Sequence, residues 1–272
     1  LRSIQRKGSN SFEALNEPII LDGPYSNSAF DIVCKNDKVY MIIGGKDLLN
    51  GKRFDKGGYI LTYDYDKWSF IDPKEAQKKL NLPRNPRDYT SIAVTTDDSN
   101  DEIVYASSMG DGVIQYKNGT PVQSYNEKNA FKETAGGYGS GYCYIDGLAF
   151  DKNGNLWMTS SEVNHAVLVL DKAGAWHRLD IEQLRGVYTI NDILITSTND
   201  KWIYVPRNTP KLVMIPNSES LDEVSSYEFT TLIDTDGKEL TPSNYTCVAE
   251  DKDGYIWVGT NRGAVYFTKP RI

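Results

Sequence analysis

The chain has 272 residues, 39% of them hydrophobic, and its 37 acidic side chains outnumber 30 basic ones to give a formal net charge of −7. That is an ordinary globular composition with enough apolar material for a sizeable core. No apolar run reaches the roughly 18 residues needed to span a bilayer, and the basic residues are scattered rather than striped, which argues against a nucleic-acid partner. Leu1 stands first with no charged-then-apolar leader, so the chain reads as a trimmed piece of something longer.

From the N-terminus, residues 12–15 form a spare apolar strand and residues 30–33 open the first strand-rich unit. A polar turn at Asn36 and Asp37 leads into an apolar run over 38–42. Residues 44–58, rich in Gly, Lys and Asp, read as a long mobile loop. Strands at 59–63 and 68–71 finish the unit. The one clear helix is predicted over 73–80, with Asp72 as N-cap and Pro73 at the first helical position. Runs at 103–106, 112–116 and 122–125 form a second unit; 147–150, 156–159, 166–170 and 176–179 form a third. A single helical turn is expected at 181–184. Runs at 202–205, 211–215 and 227–230 make a fourth unit, and 247–249, 255–260 and 264–267 a fifth.

Two of these units nearly copy each other. Asp151-Lys152-Asn153-Gly154-Asn155-Leu156-Trp157 matches Asp251-Lys252-Asp253-Gly254-Tyr255-Ile256-Trp257, each between two apolar runs. Strand, tight Asp/Gly turn, strand, recurring roughly every fifty residues with an aromatic anchor (Tyr40, Tyr105, Trp157, Tyr204, Trp257), is the signature of a β-propeller. The expected fold is therefore all-β, a single propeller of four-stranded antiparallel blades over 28–72, 89–126, 143–180, 189–232 and 245–272. The fifth unit ends before its outer strand. A strand over 11–16 is expected to pair with residues 264–268 and close a five-bladed ring, leaving no open edge.

With that repeat in view, residues 248–263 and 147–159 resemble the two-component regulator propeller repeat of Bacteroidetes sensor ectodomains, and Gly23-Pro24-Tyr25-Ser26-Asn27 is similar to the entry into blade one of PorZ-type propellers. The resemblance implies an extracytoplasmic module, in the periplasm or at the outer-membrane surface, that binds rather than catalyses. It also implies partners of two kinds: a glycan or lipopolysaccharide, or the envelope proteins of a secretion or sensor complex.

The residues themselves give little chemistry. The Asp-x-Asn/Asp-Gly stretches lack the continuation of a calcium loop, so Asp151, Asp251 and Asp234 are expected to bond turn amides, with no metal. Gly136-Gly137-Tyr138-Gly139-Ser140-Gly141 opens no helix and is read as a loop rather than a phosphate cradle. Cys34, Cys143 and Cys247 are expected as buried small apolar residues. His165 and His177 are the two histidines, and His165 beside Glu162 is the thin basis for the enzymatic alternative, a metal-dependent streptogramin-type lyase. No catalytic residue and no cofactor is assigned. The candidate ligand residues are those that propeller topology sends to one rim: Tyr25, Asn27, Arg87, Tyr89, Tyr144, Asp146, Asn191, Asp192, Arg207, Asn244, Tyr245 and Arg262. Aromatic faces there stack on sugars while Asn, Asp and Arg bond hydroxyls or acidic groups. A scaffold that engages envelope proteins, or self-associates through blade edges into a homo-oligomer, is the alternative.

Overall fold

Short runs of β-branched and aromatic residues separated by Asp, Asn and Gly turns give a chain of antiparallel strands. The structure, a computed structural model, describes residues 2–6, 8–18, 23–48, 50–131 and 141–268; most of the Gly136–Gly141 run lies outside them. β1 (Arg2–Arg6) and β2 (Phe12–Pro18) form a hairpin. Blade one consists of β3 (Ala29–Lys35), β4 (Lys38–Ile43), β5 (Ile60–Tyr63) and β6 (Trp68–Ile71), paired in that order. After α1 (Pro73–Leu80), blade two holds β7 (Tyr89–Thr96), β8 (Glu102–Gly110), β9 (Gly112–Lys117) and β10 (Thr120–Tyr125). Blade three is β11 (Cys143–Phe150), β12 (Leu156–Ser160), β13 (Val167–Leu170) and β14 (Trp176–Leu179). Blade four is β15 (Ile193–Ile195), β16 (Lys201–Val205), β17 (Lys211–Ile215) and β18 (Tyr227–Phe229). A small hairpin, β19 (Leu232–Ile233) and β20 (Glu239–Leu240), precedes blade five: β21 (Tyr245–Glu250), β22 (Ile256–Thr260) and β23 (Gly263–Phe267). The fold is a β-propeller.

The helix forms where its caps predict. Asp72 Oδ1 accepts from Lys74 N at 2.9 Å, Pro73 opens the first turn, and Asn81 ends it in the left-handed region.

The hydrophobic core lies between blades, not inside them. Trp157, Val167 and Val169 of blade three meet Ile203, Val205 and Val213 of blade four. Tyr40, Ile42 and Ile60 of blade one meet Ile92, Val104 and Tyr116 of blade two. Because a strand's successive side chains alternate faces, each blade has a forward face toward the next blade and a backward face toward the one before.

The repeated Asp/Gly turn is built by one carboxylate. Asp151 Oδ1 accepts from Asn153 N and Asn155 N (2.9 and 2.8 Å), and Oδ2 from Asn155 Nδ2 and Trp157 Nε1 (2.8 and 2.9 Å). Asp251 repeats this with Asp253 N, Tyr255 N and Trp257 Nε1 at 2.9, 3.0 and 2.7 Å. Gly154 and Gly254 close the two turns at φ of 84° and 80°, where a side chain would be strained. Asp234 acts likewise on Asp236 N and Lys238 N. In blade four the anchor is Trp202 rather than Tyr204: Trp202 lies opposite Leu194 as Trp157 lies opposite Ala149 and Trp257 opposite Ala249.

Three expectations are corrected. The N-terminal strand does not close blade five: β2 pairs with β1, and β23 pairs only with β22 among the described residues. A hairpin partner a few residues away satisfies β2 at far lower loop-closure cost than one across the whole chain. The 44–58 loop is not a free loop but folds back over the blades, as described below. Of the three cysteines only Cys143 is buried; Cys34 and Cys247 are exposed, because they lie on the backward face of blade one and the forward face of blade five, which no other blade covers.

Candidate functional site

The inner strands surround the channel, and those of blades one, two, three and five carry a register shift near their start, at Phe30, at Thr90, at Asp146 and Gly147, and at Thr246. Bulges of this kind re-aim side chains at a rim. Near them, polar side chains reach sideways to the neighbouring blade. Asp31 Oδ2 accepts from Ile92 N at 3.2 Å, and Thr90 Oγ1 donates to Ile145 O at 2.6 Å. Thr159 Oγ1 donates to Asn191 O at 3.2 Å and Tyr204 Oη to Thr246 O at 3.1 Å. Every step from blade one to blade five is thus stitched by a side chain near the axis. Gly147 permits a close approach between blades three and four, since a Cβ there would sit 2.7 Å from Ile193 N.

A strap formed by residues 44–48 and 50–58 leaves blade one and crosses to blades three and four. Lys46, 4% exposed, forms an ion pair with the equally buried Asp146 and donates to Ile190 O at 3.3 Å. Ser161 Oγ donates to the other Asp146 oxygen at 2.5 Å. Burial pushes the Asp146 carboxyl up despite the pull of Lys46. Arg207 holds the strap from blade four, donating to Leu48 O at 2.5 Å and Thr189 Oγ1 at 3.3 Å. Asp88 holds its return, accepting from Asp55 N and Lys56 N at 3.1 and 3.0 Å.

The other rim residues divide by burial. Tyr89 is fully buried with its hydroxyl 2.6 Å from that of Tyr116; Tyr245 is fully buried, and Tyr144 nearly so. Asn191 is buried and donates to Tyr204 Oη at 3.2 Å. Asp192 is exposed to solvent, yet desolvation by the surrounding protein, together with the Asp31 charge, raises its carboxyl to about 7. Arg87, Asn27 and Arg262 are exposed, and Asn244 is half-buried with its backbone bonded to Asn261. Tyr25 is away from the axis: it stacks on Phe70 and lies against Tyr59, each at 4.8 Å, on the backward side of blade one. The structure therefore brings together Asp146, Asn191, Asp192 and Arg207, and leaves Tyr25 apart.

Sequence reading missed the strap's own contribution. Leu48 and Phe54 of the strap are 44% and 46% exposed on this rim, beside the inter-blade Tyr188, 50% exposed. Arg53 and Arg84 flank the Tyr142 ring, their guanidinium carbons 5.8 and 5.5 Å from its centroid. Arg84 pairs with Asp111 at 2.7 Å, and Asp111 also accepts from Arg87 N at 3.2 Å. Arg84, Asp111 and Tyr142 border a cleft of about 290 Å³ that also includes Glu127 and Lys128. Glu162 lies beside Lys46, Asp146 and Tyr188 at the strap, and burial raises its carboxyl, with Asp146 adding to it; His165 lies near Asp180 instead. His177 lies in β14, bridging Asp222 and Asp171 at 2.8 and 3.2 Å. Among the described residues no cluster of three or more His, Cys, Asp or Glu side chains is arranged to hold a metal, and no helix is long and apolar enough to cross a membrane.

The family model of the two-component regulator propeller matches residues 239–262, from β20 through the Asp251 turn to the end of β22. That one stretch of the chain is similar to the regulator-propeller repeat. Among solved structures the chain is similar to PorZ, a surface component of the type-IX secretion system of Porphyromonas gingivalis, with a TM-score of 0.77 and 20% identity over 94% of this chain and 34% of that one. It is also similar to the extracellular domain of a hybrid two-component system of B. thetaiotaomicron, with a TM-score of 0.54 and 14% identity over 86% of this chain and 26% of that one. The chain thus spans about a third or less of the length of these proteins. No curated protein matches it.

Proposed function

We propose that this chain is a non-enzymatic binding module working outside the cytoplasm, at the periplasmic or outer-membrane surface, and that its strapped rim recognises a glycan, the sugar portion of lipopolysaccharide included. One observation carries the reading: exposed Leu48, Phe54 and Tyr188 share a rim with Arg53, Arg84 and Arg87. Apolar and aromatic faces pack against sugar rings, while guanidinium groups bond phosphate and carboxylate substituents in pairs. Of the axis carboxylates, Asp146 is taken up by Lys46 and Ser161, and Asp192 Oδ1 accepts from Ile193 N at 2.8 Å. Similarity to a secretion-system surface component and a sensor ectodomain supports a binding role for the fold.

The test is titration with lipopolysaccharide and with an array of envelope glycans. Arg84→Ala together with Tyr188→Ala is expected to weaken binding at least tenfold, about 1.4 kcal/mol, with thermal unfolding unchanged. Absence of binding, or equal binding by the double variant, would refute the reading. A second reading, an envelope-protein scaffold, is favoured by Trp257 and Tyr266, 40% and 52% exposed on blade five.

A further inference from the structure

At the rim opposite the strap, the turns of successive blades are tied together by polar contacts. Between blades one and two, Glu102 Oε2 accepts from Lys38 Nζ and Tyr40 Oη at 2.8 and 2.5 Å. Between three and four, Lys201 Nζ lies 4.4 Å from the centre of the Trp157 ring, and Asn199 Oδ1 accepts from Lys152 N at 3.0 Å. Between four and five, Glu250 accepts from Ser197 N and Oγ, both at 2.6 Å. Blades two and three instead part here around a cleft of about 590 Å³, inside the span of about 300–1,000 Å³ usual for small-molecule sites. Lys172 Nζ and Asp98 Oδ1 bridge the two blades across it at 3.2 Å, with side chains 67% and 90% exposed. An ion pair that solvated contributes little to stability and is readily exchanged for another partner.

The lining sets the chemistry of an occupant. Asp97, Asp98 and Asp171 are balanced around the cleft by Lys117, Lys152 and Lys172, so neither an anion nor a cation is drawn in by net charge. The apolar lining is Ile103, Leu156 and Leu170, with Tyr105 and Phe150 set edge to face at 5.9 Å. That contact engages ring surface within the protein, and Tyr105 is only 9% exposed, so the cleft suits a branched aliphatic side chain better than a stacked sugar. We propose that this cleft binds a short zwitterionic peptide with aliphatic side chains, its carboxylate on Lys172 and its ammonium on Asp98. A ligand carrying both charges replaces the exposed ion pair and leaves neither partner unpaired, which a simple anion or cation does not. The site is separate from the strapped rim and does not rest on the glycan reading.

The test is isothermal titration calorimetry of this chain with leucylleucine, and with the same dipeptide acetylated at its N-terminus and amidated at its C-terminus. Lys172→Ala and Asp98→Ala are titrated alongside; both side chains are exposed, so thermal unfolding of each variant should match the parent. Saturable binding of leucylleucine is expected, weakened at least tenfold by either substitution and at least tenfold by blocking both termini. Absence of saturable binding at millimolar dipeptide would overturn the proposal. So would equal binding of the blocked dipeptide, which would make the cleft a purely apolar site, or equal binding by the two variants, which would place the dipeptide elsewhere.

Discussion

The Asp/Gly turn occurs twice with the same bonds but different burial, so one substitution can be made in two settings. Asp151→Ala removes the acceptor for Asn155 Nδ2 and Trp157 Nε1, and those residues are 7% and 1% exposed. Neither group has water to turn to, and a buried orphaned donor costs about 1–3 kcal/mol. Two of them, with weakened turn amides, give a loss of about 3–4 kcal/mol. Asp251→Ala removes the same bond from Trp257, but at 40% exposure water replaces the acceptor, and the loss should be well below that of Asp151→Ala. Urea unfolding of each variant of this chain, followed by circular dichroism, compares the midpoints at unchanged slope. Equal losses would refute the view that burial of the indole N–H, rather than the turn itself, sets the value of this carboxylate.

Four other outcomes follow from the same geometry. Trp202 Nε1 is buried without a partner, and the residue six positions before it is Thr196, where blades three and five have Asp. Thr196→Asp is expected to supply the missing acceptor and raise stability by about 1 kcal/mol, read as a higher urea midpoint. Lys46→Met leaves Asp146 buried and unpaired, at a cost of about 3–5 kcal/mol, and should expose the strap at 44–58 to limited proteolysis. Asp192 has a carboxyl raised to about 7 in the folded state against 3.8 as its ordinary value. Its contribution is therefore complete below about pH 4 and is lost as pH rises through 7, so Asp192→Asn should melt higher than the parent at pH 8 and with little difference at pH 4. The His177 imidazole is raised by the hydrogen bond to Asp222 and then that to Asp171. Its stabilisation is present below about 6.5 and lost as pH rises through the folded value; His177→Gln should flatten that part of the stability profile.

Local chemistry was legible in the sequence where it is self-contained. The Asp-x-x-Gly turns, the Asp72 cap and the strand-turn-strand period all depend on neighbours within a few residues, and the structure builds each of them. Blade four shows the limit: Thr196 in place of Asp hides the repeat, so Tyr204 stands out in the sequence while Trp202 occupies the anchor position. The strap was invisible because its partners are remote. Lys46 meets Asp146 and Arg207 meets Leu48 across the channel, and nothing in a Gly- and Lys-rich segment states which blade it will reach. The rim assignment suffered from the same gap: topology sends Tyr89 and Tyr245 to the start of inner strands, but packing against the adjoining blade, not topology, decides that their rings are buried. Closure failed for a third reason. Pattern shows that residues 12–15 suit a strand, but β1 is an equally good and far nearer partner.

The claim that the strapped rim is the binding surface is tested most directly by hydrogen exchange with and without saturating lipopolysaccharide. The strap amides that hold it folded, Asp47 N to Lys52 O at 2.8 Å and Asp55 N and Lys56 N to Asp88, are reporters. Their exchange should slow at least tenfold, while the turns at 151–154 and 251–254 on the opposite rim stay unchanged. Slowing confined to those turns, or to the exposed faces of blades one and five, would contradict the account.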